Sequence, residues 1–245
     1  MSLRATWATA LRVLTQLRRD PRTVALIVVV PVALLALLRF VFDGQPETFD
    51  RIGGPLVGIF PLITMFLVTS ITMLRERTTG TLERLMTLPL AKLDLLAGYE
   101  IAFALVAALQ GAVVAGVAFL MLDLDVAGSA VVVVLLAILN ALLGTSLGLF
   151  ASAFARTEFQ AVQFMPAFIF PQLLLCGLFV ARDQMAPVLE AISWALPMTY
   201  AYDALERVTV DGELGAGGAI SVGVTAAVTL LAVALGALTL RRRTA

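Results

Sequence analysis

The sequence predicts an all-α membrane protein with six transmembrane helices, and three observations lead to this fold class. Of the 245 residues, 60% are hydrophobic and only 14% are charged, whereas about 25% are charged in an ordinary soluble domain. The mean hydropathy is +0.99. Apolar runs of about 20 residues, enough for a helix to cross a bilayer core of about 30 Å, recur along the chain. These runs are continuous and lack the alternation of a membrane β-strand, so helices are predicted.

The chain divides into two predicted parts. Residues 1–22 form an N-terminal amphipathic helix at the membrane interface, and residues 23–245 form the transmembrane domain. Six segments of the second part are long and apolar enough to cross the bilayer. These spans are about 24–42, 52–74, 95–122, 126–155, 159–181 and 218–240.

The N-terminal helix is predicted from its periodicity. Apolar residues recur at spacings of four, four, three and three, which places them on one helical face; they are Leu3, Trp7, Leu11, Leu14 and Leu17. Arginines occupy other positions around the helix, as expected of a helix that lies on a membrane surface. Asp20-Pro21 ends it before the first span.

The distribution of basic residues predicts the orientation. Thirteen of the 17 lysines and arginines lie before the first span, between spans two and three, between spans four and five, or after the sixth span. The remaining four are Arg39, Arg51, Arg182 and Arg207. Basic residues collect on the cytoplasmic side of a membrane protein. Both termini are therefore predicted in the cytoplasm, with the protein in the plasma membrane.

Composition also argues against several functions. Lysine plus arginine equals aspartate plus glutamate at 17 each, so the net charge gives no case for nucleic acid binding. The chain has no histidine and one cysteine, Cys176, so the usual metal clusters and an internal disulfide framework are not expected. Lys92, the only lysine, lacks the glycine-rich turn of a P-loop. We therefore expect no catalytic residue, no metal and no ATPase site in this chain.

The segment between spans two and three, residues 75–92, is predicted to bind a protein. Leu82, Leu85 and Met86 repeat at i, i+3 and i+4, which predicts a short amphipathic helix from about Thr81 that stops before Pro89. An apolar stripe surrounded by mixed charges provides both affinity and orientation at a protein interface.

Two motifs resemble a known family. The pattern Arg-Glu-Arg-x-x-Gly-Thr-Leu-Glu-Arg-Leu-x-x-x-Pro-Leu, from Arg75 to Leu90, is similar to the cytoplasmic signature of type-2 ATP-binding-cassette (ABC) exporter permeases, which export drugs, lipids and polysaccharides. The run from Trp194 to Leu205, with its Pro-Met-Thr-Tyr, resembles the segment before the last span of that family. A departure is Thr78-Thr79, where many relatives carry a further acidic residue.

The resemblance implies a division of labour between subunits. A short cytoplasmic coupling helix would contact a separate ATPase subunit, which binds ATP and Mg²⁺, and two permease chains, identical or different, would pair over two ATPases. The coupling residues it implies are Glu76, Gly80, Thr81, Leu82, Glu83, Arg84 and Leu85.

The same resemblance places a substrate path between spans two and five at the permease dimer interface. The candidates it implies for this path are Thr64, Met65, Phe66, Phe164, Phe168 and Gln172. Pro166 and Pro171 predict a kinked or broken fifth span. An apolar, aromatic lining favours an amphipathic drug or lipid over a highly charged sugar. The substrate-path residues could instead be ordinary packing or lipid-facing side chains.

Gly144, Gly148 and Ser152 recur every four residues in span four, a pattern typical of close helix packing.

Other classes of function fit the sequence less well than an exporter does. An ion-coupled carrier or a channel is the alternative to an ATP-driven exporter, but the centres of the spans lack the ionisable residues that such a carrier needs. An intramembrane enzyme is the least supported class. Arginine outnumbers lysine 16 to 1, which hints at a GC-rich bacterial genome.

Overall fold

The computed structural model describes residues 3–81 and 92–239, and this part of the chain is helical without β-strands. Nine α-helices follow one another in the described residues. They are α1 (Leu3–Arg18), α2 (Pro21–Val41), α3 (Pro46–Thr78), α4 (Lys92–Met121), α5 (Ala130–Ala151), α6 (Glu158–Leu175), α7 (Pro187–Ser193), α8 (Pro197–Glu206) and α9 (Gly215–Thr239). A 3₁₀ turn at Arg182–Gln184 precedes α7, and a π turn at Arg207–Asp211 follows α8.

Five helices in the described ranges are long and apolar enough to cross a membrane. The qualifying segments are Pro21–Val41, Pro46–Thr78, Ala97–Met121, Ala130–Ala151 and Gly215–Gly236. The chain is therefore a multi-pass membrane protein. Helix α6 contains two prolines and three glutamines within 18 residues and is not among these five. The sixth span stays a prediction.

Three helices differ in length from the spans that the sequence predicts. The fifth predicted span reached residue 181, but α6 ends at Leu175, because Gly177 adopts the left-handed φ of +112° and turns the chain. The fourth predicted span covered residues 126–155, but α5 within it is only 22 residues long. The second predicted span ended at residue 74, whereas α3 continues to Thr78 and is 33 residues, or about 50 Å, long.

Helix α3 lies at the centre of the bundle and packs most extensively against α5. The two backbones approach closely at two glycines of α5. A Cβ atom at Gly144 would collide with the carbonyl oxygen of Leu62, and one at Gly148 would collide with that of Phe66. The predicted close-packing role of these glycines is confirmed, since only a residue without a side chain fits there.

Helix α1 packs against α4 through small residues rather than through its apolar stripe. Thr6, Thr9, Ala10 and Val13 are buried, and a Cβ atom at Gly98 of α4 would overlap the side chain of Thr9. The residues of the apolar stripe of α1 differ in burial. Its first three residues are exposed, at 84%, 53% and 48% for Leu3, Trp7 and Leu11, whereas Leu14 and Leu17 are partly buried.

The bundle has two chemically different ends. At the basic end, α3 ends at Thr78, α4 begins at Lys92 and α5 gives way to α6 between residues 151 and 158. At the acidic end, α2 turns into α3, and the segment 176–214 folds as a cap of short helices. The cap is fixed to α3 by close contact, because a Cβ atom at Gly54 would meet the side chain of Thr209.

The tight contact between α3 and α5 makes a testable prediction. Gly144→Ala should lower the melting temperature of the purified protein, because overpacking a well-packed contact typically costs about 1–3 kcal/mol. Gly223→Ala in α9 is the matched control, since no atom lies within 4 Å of a Cβ there. An exposed helical glycine gains up to about 1 kcal/mol on replacement by alanine. Equal melting temperatures for the two variants would contradict this packing.

Candidate functional site

A large apolar groove lies between α1, α2, α3 and α6. Its volume is about 840 Å³, within the range of small-molecule sites. The body of the groove is formed by side chains such as Leu34, Phe60, Ile63, Met165 and Phe170. This lining is complementary to an alkyl chain or an aromatic ring.

The groove becomes polar where it reaches the basic end. This mouth is lined by residues from α1, from the α1–α2 turn and first turn of α2, and from the last turns of α3 and just beyond. Its polar members are Gln16, Asp20, Thr23, Thr72, Arg75, Glu76, Thr79 and Thr81. Asp20 is already engaged as the N-cap of α2, where it accepts hydrogen bonds from the backbone and hydroxyl of Thr23. A polar mouth on an apolar body matches the chemistry of an amphiphile.

The structure separates the six substrate-path candidates. Thr64 lines the groove, and its hydroxyl donates to the carbonyl of Phe60. Met65 and Phe66 are fully buried inside the bundle. Gln172 is also buried, where its amide donates to the carbonyl of Phe168 and accepts from the backbone N–H of Met198. These contacts tie α6 to α8.

On α6, the groove is lined by residues that sequence reasoning did not select. Met165, Phe170 and Leu173 form this wall. Phe164 packs against the bundle core instead, and Phe168 is 57% exposed outside the groove. The sequence shows that α6 is rich in phenylalanine, but the face that meets α3 is decided by how the helix is rotated.

The coupling candidates lie at the end of α3 and just beyond it. Thr79 caps the helix, and its N–H donates to the carbonyl of Arg75. Gly80 has a φ of +73°, the left-handed conformation that commonly ends a helix. Thr81 lies within hydrogen-bond distance of Thr79, with 3.0 Å between the hydroxyl oxygens. Four further candidates, Leu82, Glu83, Arg84 and Leu85, lie outside the described residues.

Glu76 faces inward and belongs to a buried polar cluster. Its carboxylate accepts hydrogen bonds from Arg12 of α1 at 3.1 and 3.4 Å, and it is 3% exposed. Arg12 also donates to the hydroxyl of Tyr99 and lies 5.6 Å from the centre of that ring. Burial lowers the pKa of Arg12, but Tyr99 and Glu76 together raise it above its ordinary value, so the guanidinium stays charged. We call Arg12, Glu76 and Tyr99 the inner cluster.

The preceding residue of α3 makes an ion pair in another direction. Arg75 binds Glu158 at the start of α6 through two hydrogen bonds, of 2.7 Å from Nε and 3.0 Å from Nη2. The two side chains are 55% and 50% exposed. We call Arg75 and Glu158 the outer pair. It connects α3 to α6 at the mouth of the groove.

The inner cluster and the outer pair differ in strength because they differ in exposure. An exposed ion pair contributes about 0–1 kcal/mol, since water and salt screen its charges. Removing one partner of a buried pair costs about 3–5 kcal/mol, because the other charge stays behind without water. Arg12 keeps 30% exposure, so the cost at the inner cluster is expected below that range.

A second polar cluster fixes the cap at the acidic end. Asp203 of α8 accepts hydrogen bonds from Arg182 at 3.0 Å, from Arg207 at 2.9 Å and from Ser221 of α9 at 2.6 Å. The guanidinium of Arg182 also lies 4.4 Å from the centre of the Trp194 ring. Burial raises the pKa of Asp203, but the hydrogen bonds from Arg207 and Ser221 and the nearby positive charges outweigh it and leave the pKa below its ordinary value.

Glu100 is a carboxylate within the candidate span of α4, and an ion-coupled carrier needs an ionisable residue of this kind inside the membrane. It lies about two turns from the start of the helix and accepts a hydrogen bond of 3.2 Å from Ser146 of α5. The hydroxyl of Ser146 also donates to the carbonyl of Leu142 at 2.9 Å. The acid is therefore held against α5 by a neutral partner, and it is not among the residues that line the groove.

The inner cluster should matter more for stability than the outer pair. We expect Glu76→Gln to destabilise the protein by about 2 kcal/mol, because it leaves the charge of Arg12 half-buried without a counter-charge. Glu158→Gln, the matched control at an exposed pair, should cost about 1 kcal/mol or less. Thermal unfolding in one detergent compares them, and an equal loss from both variants would contradict the difference in strength.

The Asp203 cluster should make stability depend on acid pH. A group with a lowered pKa in the folded state stabilises that state above its unfolded pKa, about 3.9 for aspartate, and this contribution is lost as the pH falls through the folded-state value. Asp203→Asn should therefore lower the melting temperature at pH 6 and reduce its fall between pH 5 and 3. If the melting temperature of the variant falls between pH 5 and 3 as steeply as that of the wild type, Asp203 is not responsible for the loss of stability in acid.

Comparison with known proteins identifies relatives of this chain. The family model described as "ABC-2 type transporter" matches residues 4–209. The probable multidrug ABC transporter permease YbhR of Escherichia coli K12 is 26% identical over 153 residues, which cover 62% of this chain and 42% of the relative. YbhS, a second probable multidrug ABC transporter permease of that strain, is 25% identical over 60% of this chain and 40% of its own length.

A eukaryotic protein is also similar. ABC transporter G family member 20 of Dictyostelium discoideum is 25% identical over 171 residues, which cover 69% of this chain and 23% of that protein. The matched region thus spans less than half the length of each of these relatives. The resemblance noted from the sequence motifs is confirmed, because the family match extends over most of the described helices. The chain belongs to the ABC-2 type transporter family.

Proposed function

We propose that this chain is the membrane permease subunit of an ATP-driven exporter that moves a hydrophobic or amphipathic substrate, drug-like or lipid-like, out of the cell. The observation that carries the proposal is the groove of about 840 Å³, which has an apolar body and a polar mouth at the basic end. An amphiphile would place its tail along α2 and α3 and its polar head at the mouth. The names of YbhR and YbhS, each a probable multidrug permease, support the same substrate class.

The orientation follows from the positive-inside rule. The basic end and both termini lie in the cytoplasm, and the cap at the acidic end lies outside, in the plasma membrane of a bacterial cell. The groove then opens toward the cytoplasm, the side from which an exported substrate enters. The cap, held by Asp203 and its partners, covers the exit.

Energy is supplied by a separate ATPase subunit. Two ATPase copies bind ATP and Mg²⁺, and two permease chains, identical or different, pair above them. The coupling residues Glu76, Gly80, Thr81, Leu82, Glu83, Arg84 and Leu85 transmit the movement of the ATPase. Glu76 takes part through its contacts within the bundle, since its carboxylate is buried against Arg12. The direct contacts with the ATPase belong to the residues that follow Gly80.

The length of α3 supports this mechanism. A helix of about 50 Å exceeds the bilayer core of about 30 Å, so the last turns of α3 extend into the cytoplasm. Movement of the coupling residues is transmitted directly to Thr64 and the body of the groove, which lie on the same helix. No chemical step is required of this chain.

The proposal is tested by transport in proteoliposomes that contain the permease and its ATPase. Glu83→Ala and Leu85→Ala should each reduce ATP-dependent uptake of a fluorescent amphiphile into inside-out vesicles by at least tenfold, because the contact with the ATPase is weakened at its centre. Membrane insertion should remain intact. Arg156→Gln, in the other predicted cytoplasmic connection, is the matched control and should transport normally.

Two results would contradict the proposal. Unchanged transport by both coupling variants would contradict the assignment of the coupling residues to the segment after α3. Transport without ATP, or by the permease alone, would favour the ion-coupled carrier or the channel instead. Dependence on a proton gradient that is lost in Glu100→Gln would identify the carrier specifically.

A further inference from the structure

Two consecutive residues of α3 fasten this helix to different neighbours. Arg75 binds Glu158 at the first turn of α6. Glu76 binds Arg12 of α1, which in turn donates to Tyr99 of α4. Glu76 is the first of the coupling residues and Arg75 directly precedes it, so a movement of that segment acts on both contacts.

The contacts on the α1 and α4 side form a single buried unit. Glu76 is 3% exposed and Tyr99 is fully buried. Thr9 of α1 packs directly on Gly98 of α4, the residue that precedes Tyr99. Separating α1, α3 and α4 would expose the carboxylate and the apolar contacts together. We therefore expect these three helices to move as one body.

The contact on the α6 side is exposed rather than buried. Half of each side chain of the outer pair is already in contact with solvent, so water replaces the ion pair at little cost when the helices separate. Helix α6 begins at Glu158, and its anchorage to α8 through Gln172 lies at the far end. The end of α6 nearest to α3 at the mouth is thus held by an exposed ion pair and by an apolar contact, in which Ala161 of α6 shares a buried cluster with Leu74 of α3.

The outer pair also stands at the entrance of the groove. Arg75 lines the mouth, whereas Met165, Phe170 and Leu173 of α6 form a wall of the body. Thr64 lies 11 residues before Arg75 on the same helix, about 16 Å deeper. Breaking the ion pair would leave the two walls joined near the mouth by the apolar cluster of Leu74 and Ala161 alone, and it would not disturb the inner cluster.

We propose that Arg75 and Glu158 form a releasable lock that controls access from the basic-end aqueous side to the amphiphile groove, while Arg12, Glu76 and Tyr99 hold α1 and α4 to α3 in both states. This inference rests on the proposed function for its biological meaning, because it describes how that groove admits its substrate. Arg75 and Glu158 are positioning residues, which set the separation of α3 and α6.

The test measures access to the groove without the ATPase. Thr64→Cys in a Cys176→Ala background gives a protein with one thiol inside the groove. The rate of its reaction with a water-soluble, cationic methanethiosulfonate reagent is followed by mass spectrometry in lipid nanodiscs. Glu158→Gln and Arg75→Gln should each accelerate labelling by about three- to fivefold, the effect expected of losing one exposed ion pair.

A charge swap separates a lock from a merely structural contact. The double variant Arg75→Glu, Glu158→Arg restores the ion pair with its charges exchanged, and its labelling rate should return to within about twofold of the parent protein. Arg156→Gln, an exposed arginine two residues before Glu158, is the matched control and should leave the rate unchanged. Size-exclusion profiles and melting temperatures verify that each variant is folded.

The outcomes are distinct. Unchanged labelling in both single variants, or a swapped pair that labels as fast as the single variants, would overturn the lock. If the variants behave as expected but the wild-type permease and its ATPase move no amphiphile, the lock stands and the proposed export function fails. If ATP-driven transport occurs but the labelling rates do not respond, export stands and the lock fails.

Discussion

The close contact between α3 and α5 is the interaction on which the rest of the bundle depends. Inside a bilayer the hydrophobic effect does not drive helices together, so their association relies on close van der Waals contact. Gly144 and Gly148 supply it by letting the backbone of α5 reach the carbonyls of Leu62 and Phe66. With α5 seated in this way, α3 becomes the central helix to which α2, α4, α6 and α8 attach.

The central position of α3 gives the molecule one continuous element from end to end. Near its start, Gly54 contacts the cap at Thr209, and near its end, Arg75 and Glu76 hold α6 and α1. The groove lies between these two regions. A continuous helix with distinct contacts at each end connects the basic end of the bundle to the cap.

Exposure distinguishes the two charged contacts near the end of α3. Glu76 and Arg12 attract each other with the same charges as Arg75 and Glu158, but water reaches only the second pair freely. A buried charge cannot lose its partner without a large cost, whereas an exposed one exchanges its partner for water. Sequence position alone does not reveal this difference, because residues 75 and 76 are adjacent and both are charged.

The sequence by itself determined the all-helical membrane class, the family and five of the six predicted spans, because the length of an apolar run and the signature from Arg75 to Leu90 are local properties of the chain. It also indicated the close-packing glycines. Only the tertiary structure decided which side of α6 lines the groove, that Met65 and Phe66 are buried away from it, and that Arg12 reaches Glu76 across 64 residues. These features depend on the rotation and the neighbours of each helix, and the nearly uniform apolarity of the spans carries little information about either.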